Sequence, residues 1–178
     1  MSRPVLSNAE LEEYSTASRK TQVVYQVVER FFERFAPRYT LDVKDINRII
    51  YDGRQAMINF NLNLEKSLRD ELRTLSLLRL TIEELMDEFV DFLEMKHYSR
   101  WKGSSPQAIF VYKLCGEKVI SYQFCSDYVE NNNADRVANI LICMMEHVVD
   151  NLKYEIQTVE RKIKRELSIT KIKRRILD

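Results

Sequence analysis

The chain has 178 residues; 45% are hydrophobic, 31% are charged, and only three Gly and three Pro occur. Average usage would supply roughly twelve Gly and nine Pro, so turn-rich sandwiches and barrels, glycine-loop nucleotide folds and linker-rich arrays give way to a few long helices. The net charge of +1 hides a polarised molecule: residues 161–175 carry +7, residues 81–95 carry −6, and the remainder sums to zero.

In chain order, Ser7 and Glu10 have capping-box spacing and predict a helix beginning near Asn8. Val24, Val28, Phe31 and Phe35 continue at helical spacing, and Pro37 should stop that helix near Phe35. Asp42 is a candidate N-cap for a second, short helix with Val43, Ile46, Ile49 and Ile50 on one side, closed by Gly53. A strict alternation comes next, with Ala56, Ile58, Phe60, Leu62 and Leu64 apolar and Asn59, Asn61 and Asn63 between them. Period two with Asn, a poor helix former, reads as a half-buried strand. Helical periodicity resumes at Leu68, Leu72, Leu75 and Leu78. Thr81 and Glu84 then offer another capping box, opening a helix with Leu85, Phe89, Phe92 and Leu93 inward.

Residues 103–106, Gly-Ser-Ser-Pro, form the clearest loop. Two β-rich runs, 109–112 and 119–124, flank a turn at 115–118 and read as a hairpin near 108–124. Asn131, Asn132 and Asn133 break that pattern and can cap the final segment. From Ala134 to Leu177 there is no Gly or Pro and the pattern is helical. Ile142, Val149, Ile156 and Ile163 fall at one heptad seam position, and Ala138, Met145, Leu152 and Val159 at the other. The seam fails afterwards, at Glu166, Thr170 and Lys173. A helix of that length extends about 65 Å, whereas a compact domain of this size is about 40 Å across. The reading therefore assigns residues 1–130 to an α-rich domain. Residues 131–178 form a long helix that either packs its seam on its own domain or, as the favoured reading has it, projects and pairs two copies as a homodimeric coiled coil through the eight seam residues.

The order helix, helix, strand, helix, helix, hairpin, long helices resembles that of winged-helix regulators of the MarR type, over roughly residues 8–166. In that family the terminal helices form the dimer and the fourth helix reads DNA. The corresponding helix here is the acidic stretch 81–95, whose six carboxylates would repel phosphate. The Asp-Arg pairing of the wing is absent as well. The resemblance is one of element order, assigns no reader helix and fixes no family. The expected fold class is α+β, predominantly α-helical, with a small antiparallel, winged-helix-like sheet and long N- and C-terminal helices.

Residues that could carry chemistry are few. Glu94 and His97 have E-x-x-H spacing, half of a di-iron set whose second half is missing; a solvated helix end is the expectation. His147, beside Glu146, reads as a flank or packing residue. Glu83, Asp87 and Asp91 share one helical face, and Glu94 to Lys96 has E-x-K spacing without a paired acid on a strand, so the run reads as a solvated face before a metal site. Cys115, Cys125 and Cys143 are odd in number and widely spaced, which fits reduced thiols in an intracellular setting. No base or helix N-terminus is placed to activate one. Gly53, Gly103 and Gly116 are too far apart for a phosphate loop. No catalytic residue, metal or cofactor is expected, and enzyme is the weakest class.

The basic end is the most informative feature. Arg161, Lys162, Lys164, Arg165, Lys171, Lys173, Arg174 and Arg175 interleave with Ile163, Leu167, Ile169, Ile172, Ile176 and Leu177. Such an end can bind nucleic-acid phosphates, lie on an anionic membrane or in a partner's groove, or stand as a solvated helix end. The leading expectation is a non-enzymatic, self-associating, nucleic-acid-associated protein, regulatory or structural, whose cations bind phosphates without reading sequence. The alternative is a protein–protein adaptor or scaffold using the acidic helix 81–95 and the C-terminal helix. No apolar run is long enough to span a membrane, and residues 1–14 lack the apolar core of a secretory signal. The expected location is cytoplasmic or nuclear.

Overall fold

A computed structural model describes residues 15–39, 43–62, 67–117 and 120–177. Helices account for 88% of these residues. They are α1 (Thr16–Tyr39), α2 (Val43–Leu62), α3 (Leu68–Met95), α4 (Pro106–Gly116), α5 (Tyr122–Glu130) and α6 (Ala134–Leu177). No strand or sheet occurs among the described residues. The α+β class, the strand over 56–64, the hairpin near 108–124 and the winged-helix-like order are therefore corrected to an all-α fold. The start expected at Ser7, the cap expected at Asp42, the end of that strand at 63–64 and residues 118–119 of the hairpin lie outside the described residues.

Each correction has a local cause. The buried residues of α2 are Ile46, Ile49, Ile50, Gly53, Arg54 and Met57, a helical spacing in which two of the inward positions are not apolar. Asn59 is exposed, and its Oδ1 accepts from Gln55 Nε2 at 2.9 Å one turn away. Gly53 does not cap α2 but lies inside it, where a Cβ would stand 2.0 Å from Tyr25 Oη. It lets α2 approach α1. Helix α3 is continuous through Thr81, whose hydroxyl donates to the Leu78 carbonyl at 2.9 Å and pairs with Tyr25 Oη at 2.6 Å. The capping box sits instead at Ser67 and Asp70, each side chain accepting the other's backbone N–H. The Ser67 hydroxyl, donating to Asp70 Oδ2 at 2.6 Å, and then the Ser67 N–H hold the Asp70 carboxyl below its usual range.

The supposed first hairpin strand is α4. Ser105 caps it, Pro106 occupies its first turn, and Ala108, Val111 and Cys115 turn inward. Ile109 and Phe110 are left exposed. The supposed second strand becomes the lead into α5, capped by Ser121. Helix α1 runs through Pro37 to Tyr39, past its expected stop.

The first half of α6 is the wall on which the other helices lean. It packs most extensively on α3, then on α1 and α4. Between α1 and α3, Phe31 is ringed by Phe35, Phe89 and Phe92 with ring centroids 4.9–5.4 Å away. Polar staples join the elements. Arg54 grips Glu29 through both terminal nitrogens at 2.8 and 2.9 Å. Glu130 on α5 accepts from Arg30 on α1 at 2.6 Å and from Tyr122 at 2.8 Å. Asn139 pins the loop after α3, accepting the Trp101 N–H at 2.7 Å and donating to the Ser99 carbonyl at 3.1 Å. Helix α3 ends in a Schellman turn: Tyr98 N–H reaches the Leu93 carbonyl at 2.8 Å and His97 N–H the Glu94 carbonyl at 3.0 Å. His97 holds the left-handed position with φ 56°.

Candidate functional site

The eight seam residues fall in the interior of the single chain. Ala138, Ile142, Met145, Val149, Leu152, Ile156 and Val159 are each at most 8% exposed, and Ile163 is half-buried. Burial extends beyond the seam to Val137, Leu141, Met144 and Val148. A coiled-coil seam is a narrow stripe, whereas a helix enclosed on several sides buries a broad arc. Helix α6 is of the second kind between Ala134 and Val159, because α3, α1 and α4 cover it.

Past Val159 the environment changes within one turn. Residues 160–170 are all exposed except Ile163. Arg161, Lys162, Lys164 and Arg165 lie within about 6 Å of helix rise. Helical geometry puts Arg161 and Arg165 opposite the stripe Ile156, Val159 and Ile163, with Lys162 and Lys164 on the flanks. None of the four forms an ion pair with a described carboxylate. Leu167 and Ile169 come next at 50% and 53% exposure. The helical backbone continues to Leu177, so the segment from Glu160 onward adds about 27 Å of helix. The side chains of Lys171, Lys173, Arg174 and Arg175 lie outside the described residues. Four of the eight expected cations are thus placed on one accessible, uncompensated helical surface.

The acidic stretch occupies the outer side of α3. Glu84, Asp87, Glu88, Asp91 and Glu94 are exposed, while Glu83 is half-buried 3.6 Å from Arg79. Among the described residues no three His, Cys, Asp or Glu side chains come close enough to hold a metal ion. Glu94 and His97 do not share a helical face, because His97 lies in the reversed turn after α3.

The three thiols are free and buried, and burial pushes Cys115 up to about 12 and Cys125 and Cys143 up to about 11. That is the wrong direction for a nucleophile. Spacing alone did not point to two further features. One is a groove of about 560 Å³ walled by Trp101, Phe110, Leu114, Tyr128, Ile140 and Met144. The other is a buried junction of Lys20, His147 and the Cys115 carbonyl, three groups from α1, α6 and α4. A Lys among the inward positions of α1 is the signal that would have found it.

Among the described residues no helix is long and apolar enough to cross a membrane. No protein-family model, curated protein or solved structure matches the chain.

Proposed function

We propose that this is a non-enzymatic, intracellular, nucleic-acid-associated protein that presents the far end of α6 to phosphates. The carrying observation is the run Arg161, Lys162, Lys164 and Arg165, four exposed cations with no described carboxylate partner on a helix that has left its core. Cations in that state can neutralise phosphates and release the counterions condensed on the nucleic acid, which is the main source of non-specific nucleic-acid affinity. No base-reading element is part of the proposal, so binding is sequence-tolerant. Three free thiols agree with a reducing compartment.

Self-association belongs to the same reading. It is assigned to the exposed Leu167, which continues the line of Ile156, Val159 and Ile163 past the core, since the seam itself is occupied within the chain. Two copies joined there would double the local charge and gain avidity. The same exposed apolar residue favours a second reading, in which the segment docks a partner helix as an adaptor.

Fluorescence anisotropy with a labelled mixed-sequence duplex tests the first reading. Four neutralised phosphates give a log–log salt slope near −3.6, or about 100-fold weaker binding between about 50 and 200 mM salt. Reversing Arg161, Lys162, Lys164 and Arg165 to Glu should abolish that binding with the melting temperature unchanged. Absence of binding at low salt, or binding that survives the reversal, refutes it. Unchanged duplex binding after removal of residues 161–178 would favour the adaptor reading.

A further inference from the structure

Lys20, His147 and the Cys115 carbonyl meet where α1, α6 and α4 converge. Lys20 is only 4% exposed; its Nζ donates to the Cys115 carbonyl at 2.5 Å and lies 3.4 Å from His147 Nε2. Cys115 sits in the last turn of α4, where carbonyls have no intrahelical donor and the helix dipole is negative. The ammonium fills both needs. It has no lone pair to offer, so the contact with His147 is a hydrogen bond only when the imidazole is neutral with its proton on Nδ1.

The surroundings of the imidazole fix the direction of its titration. Lys20 faces it from α1, and Cys115 and Tyr112 from α4, with Glu117 just beyond. Helix α6 contributes Glu146, Asp150 and Lys153, with Glu155 acting on Lys20, and α3 contributes the thioether of Met86. Glu146 is engaged elsewhere, accepting from Tyr112 Oη at 2.5 Å and Arg100 at 2.7 Å. Burial, and then the Lys20 charge, push His147 below its ordinary 6.5, against the opposite pull of Asp150 and the Cys115 backbone. Burial likewise lowers Lys20, against Cys115, Glu117 and Glu155.

We propose that this junction is an acid-sensitive clasp: protonation of His147 sets a second cation 3.4 Å from the Lys20 ammonium and frees the end of α4 from α1 and α6. The closed form holds the imidazole pKa down, whereas an opened junction restores it to about 6.5. The open form therefore binds the proton more readily, and opening grows as pH falls below that value. Stability from the clasp is complete above about pH 6.5 and declines as pH drops toward the lowered pKa of the closed form. Proton binding to the open form alone raises the opening equilibrium toward about tenfold at about pH 5.5. The basic end of α6 lies outside the clasp, so this device is independent of phosphate binding.

Amide hydrogen exchange over residues 111–117 reads the opening directly. Native protein and His147→Gln are compared at about pH 7.5 and about pH 5.5, each normalised to intrinsic exchange rates. The native protein should open severalfold more at the lower pH, while the Gln variant, which has no proton to gain, should change less than about twofold. Equal pH dependence in the two proteins overturns the proposal. Where the Gln variant does not fold, the ring resonances of His147 in a His97→Gln protein decide. A midpoint below 6.5, with the Lys20 and Cys115 amides moving in step, supports the clasp; a midpoint at or above 6.5 sinks it.

Discussion

Replacing Gly53 with Ala opposes two effects whose balance the packing decides. In an exposed helix interior Ala is favoured over Gly by about 1 kcal/mol. At Gly53, however, the new methyl would stand 2.0 Å from Tyr25 Oη and 2.7 Å from Cζ. Tyr25 has nowhere to go: its ring is fully buried and its hydroxyl is held by Thr81 at 2.6 Å. Overpacking a closed core costs about 1–3 kcal/mol, and losing the Tyr25–Thr81 hydrogen bond adds about 1 kcal/mol. After the propensity gain, a net loss of about 1–3 kcal/mol is expected. At roughly 2–4 °C per kcal/mol for a chain of this length, the melting temperature falls by several degrees. Urea unfolding followed by far-UV circular dichroism measures it. Tyr25→Phe should restore part of the loss in the Gly53→Ala background, because Oη is the nearest atom. Stabilisation by Gly53→Ala of about 1 kcal/mol would refute the close approach of α2 to α1.

Met145→Ala should cost about 2–5 kcal/mol, since its side chain is fully buried. That cost should be the same at low and high micromolar protein; a concentration-dependent melting temperature would instead place the seam between copies. Hydrogen bonds from Arg30 and then Tyr122 hold the Glu130 carboxyl down to about 2. Its contribution is present above the ordinary carboxylate pKa and is lost as pH falls toward about 2. Glu130→Gln should therefore lower stability near pH 7 by up to about 1 kcal/mol. Denaturation at about pH 2.5 should show the deficit shrinking; an undiminished deficit contradicts the pairing. His97→Gly should stabilise by up to about 1 kcal/mol, because only Gly takes a φ of 56° without strain. A thermal melt that drops would show His97 held by something other than the turn.

The long helices were legible from their apolar spacing: Phe31 and Phe35 on α1 and Phe89 and Phe92 on α3 lie inward, and the stripe along α6 is buried as well, although within one chain and not between two. The reading failed where an inward position carries an atypical residue. Gly53 and Arg54 interrupt the apolar face of α2, one to admit a tyrosine and the other to meet Glu29, and past them the alternating apolar residues do not mark the inward face: Met57 is buried while Leu62 is exposed. In α4 the run from Ile109 to Tyr112 has β-like composition, yet only Val111 is buried in it. The pair Ser105 and Pro106 was a helix start, although the neighbouring Gly made it look like a loop. Thr81 matched a cap by spacing and serves as a mid-helix partner to Tyr25 instead. The basic end was legible because charge density needs no tertiary context. The Lys20 junction was not, since its three groups are separated by 95 and 127 residues between partners.

Helix α1 is completed by groups encoded far downstream. The Ala17 N–H finds Glu155 across 138 residues, and Arg30 finds Glu130 across 100. A ribosome delivers the early helix long before its late supports. Until α6 is made, the face of α1 that packs on it therefore has no wall to lean on, although α3 already reaches Phe31. The nascent polypeptide is thus a natural client for chaperones until its last helix emerges, and a premature stop within that helix yields an aggregation-prone remnant rather than a smaller working domain.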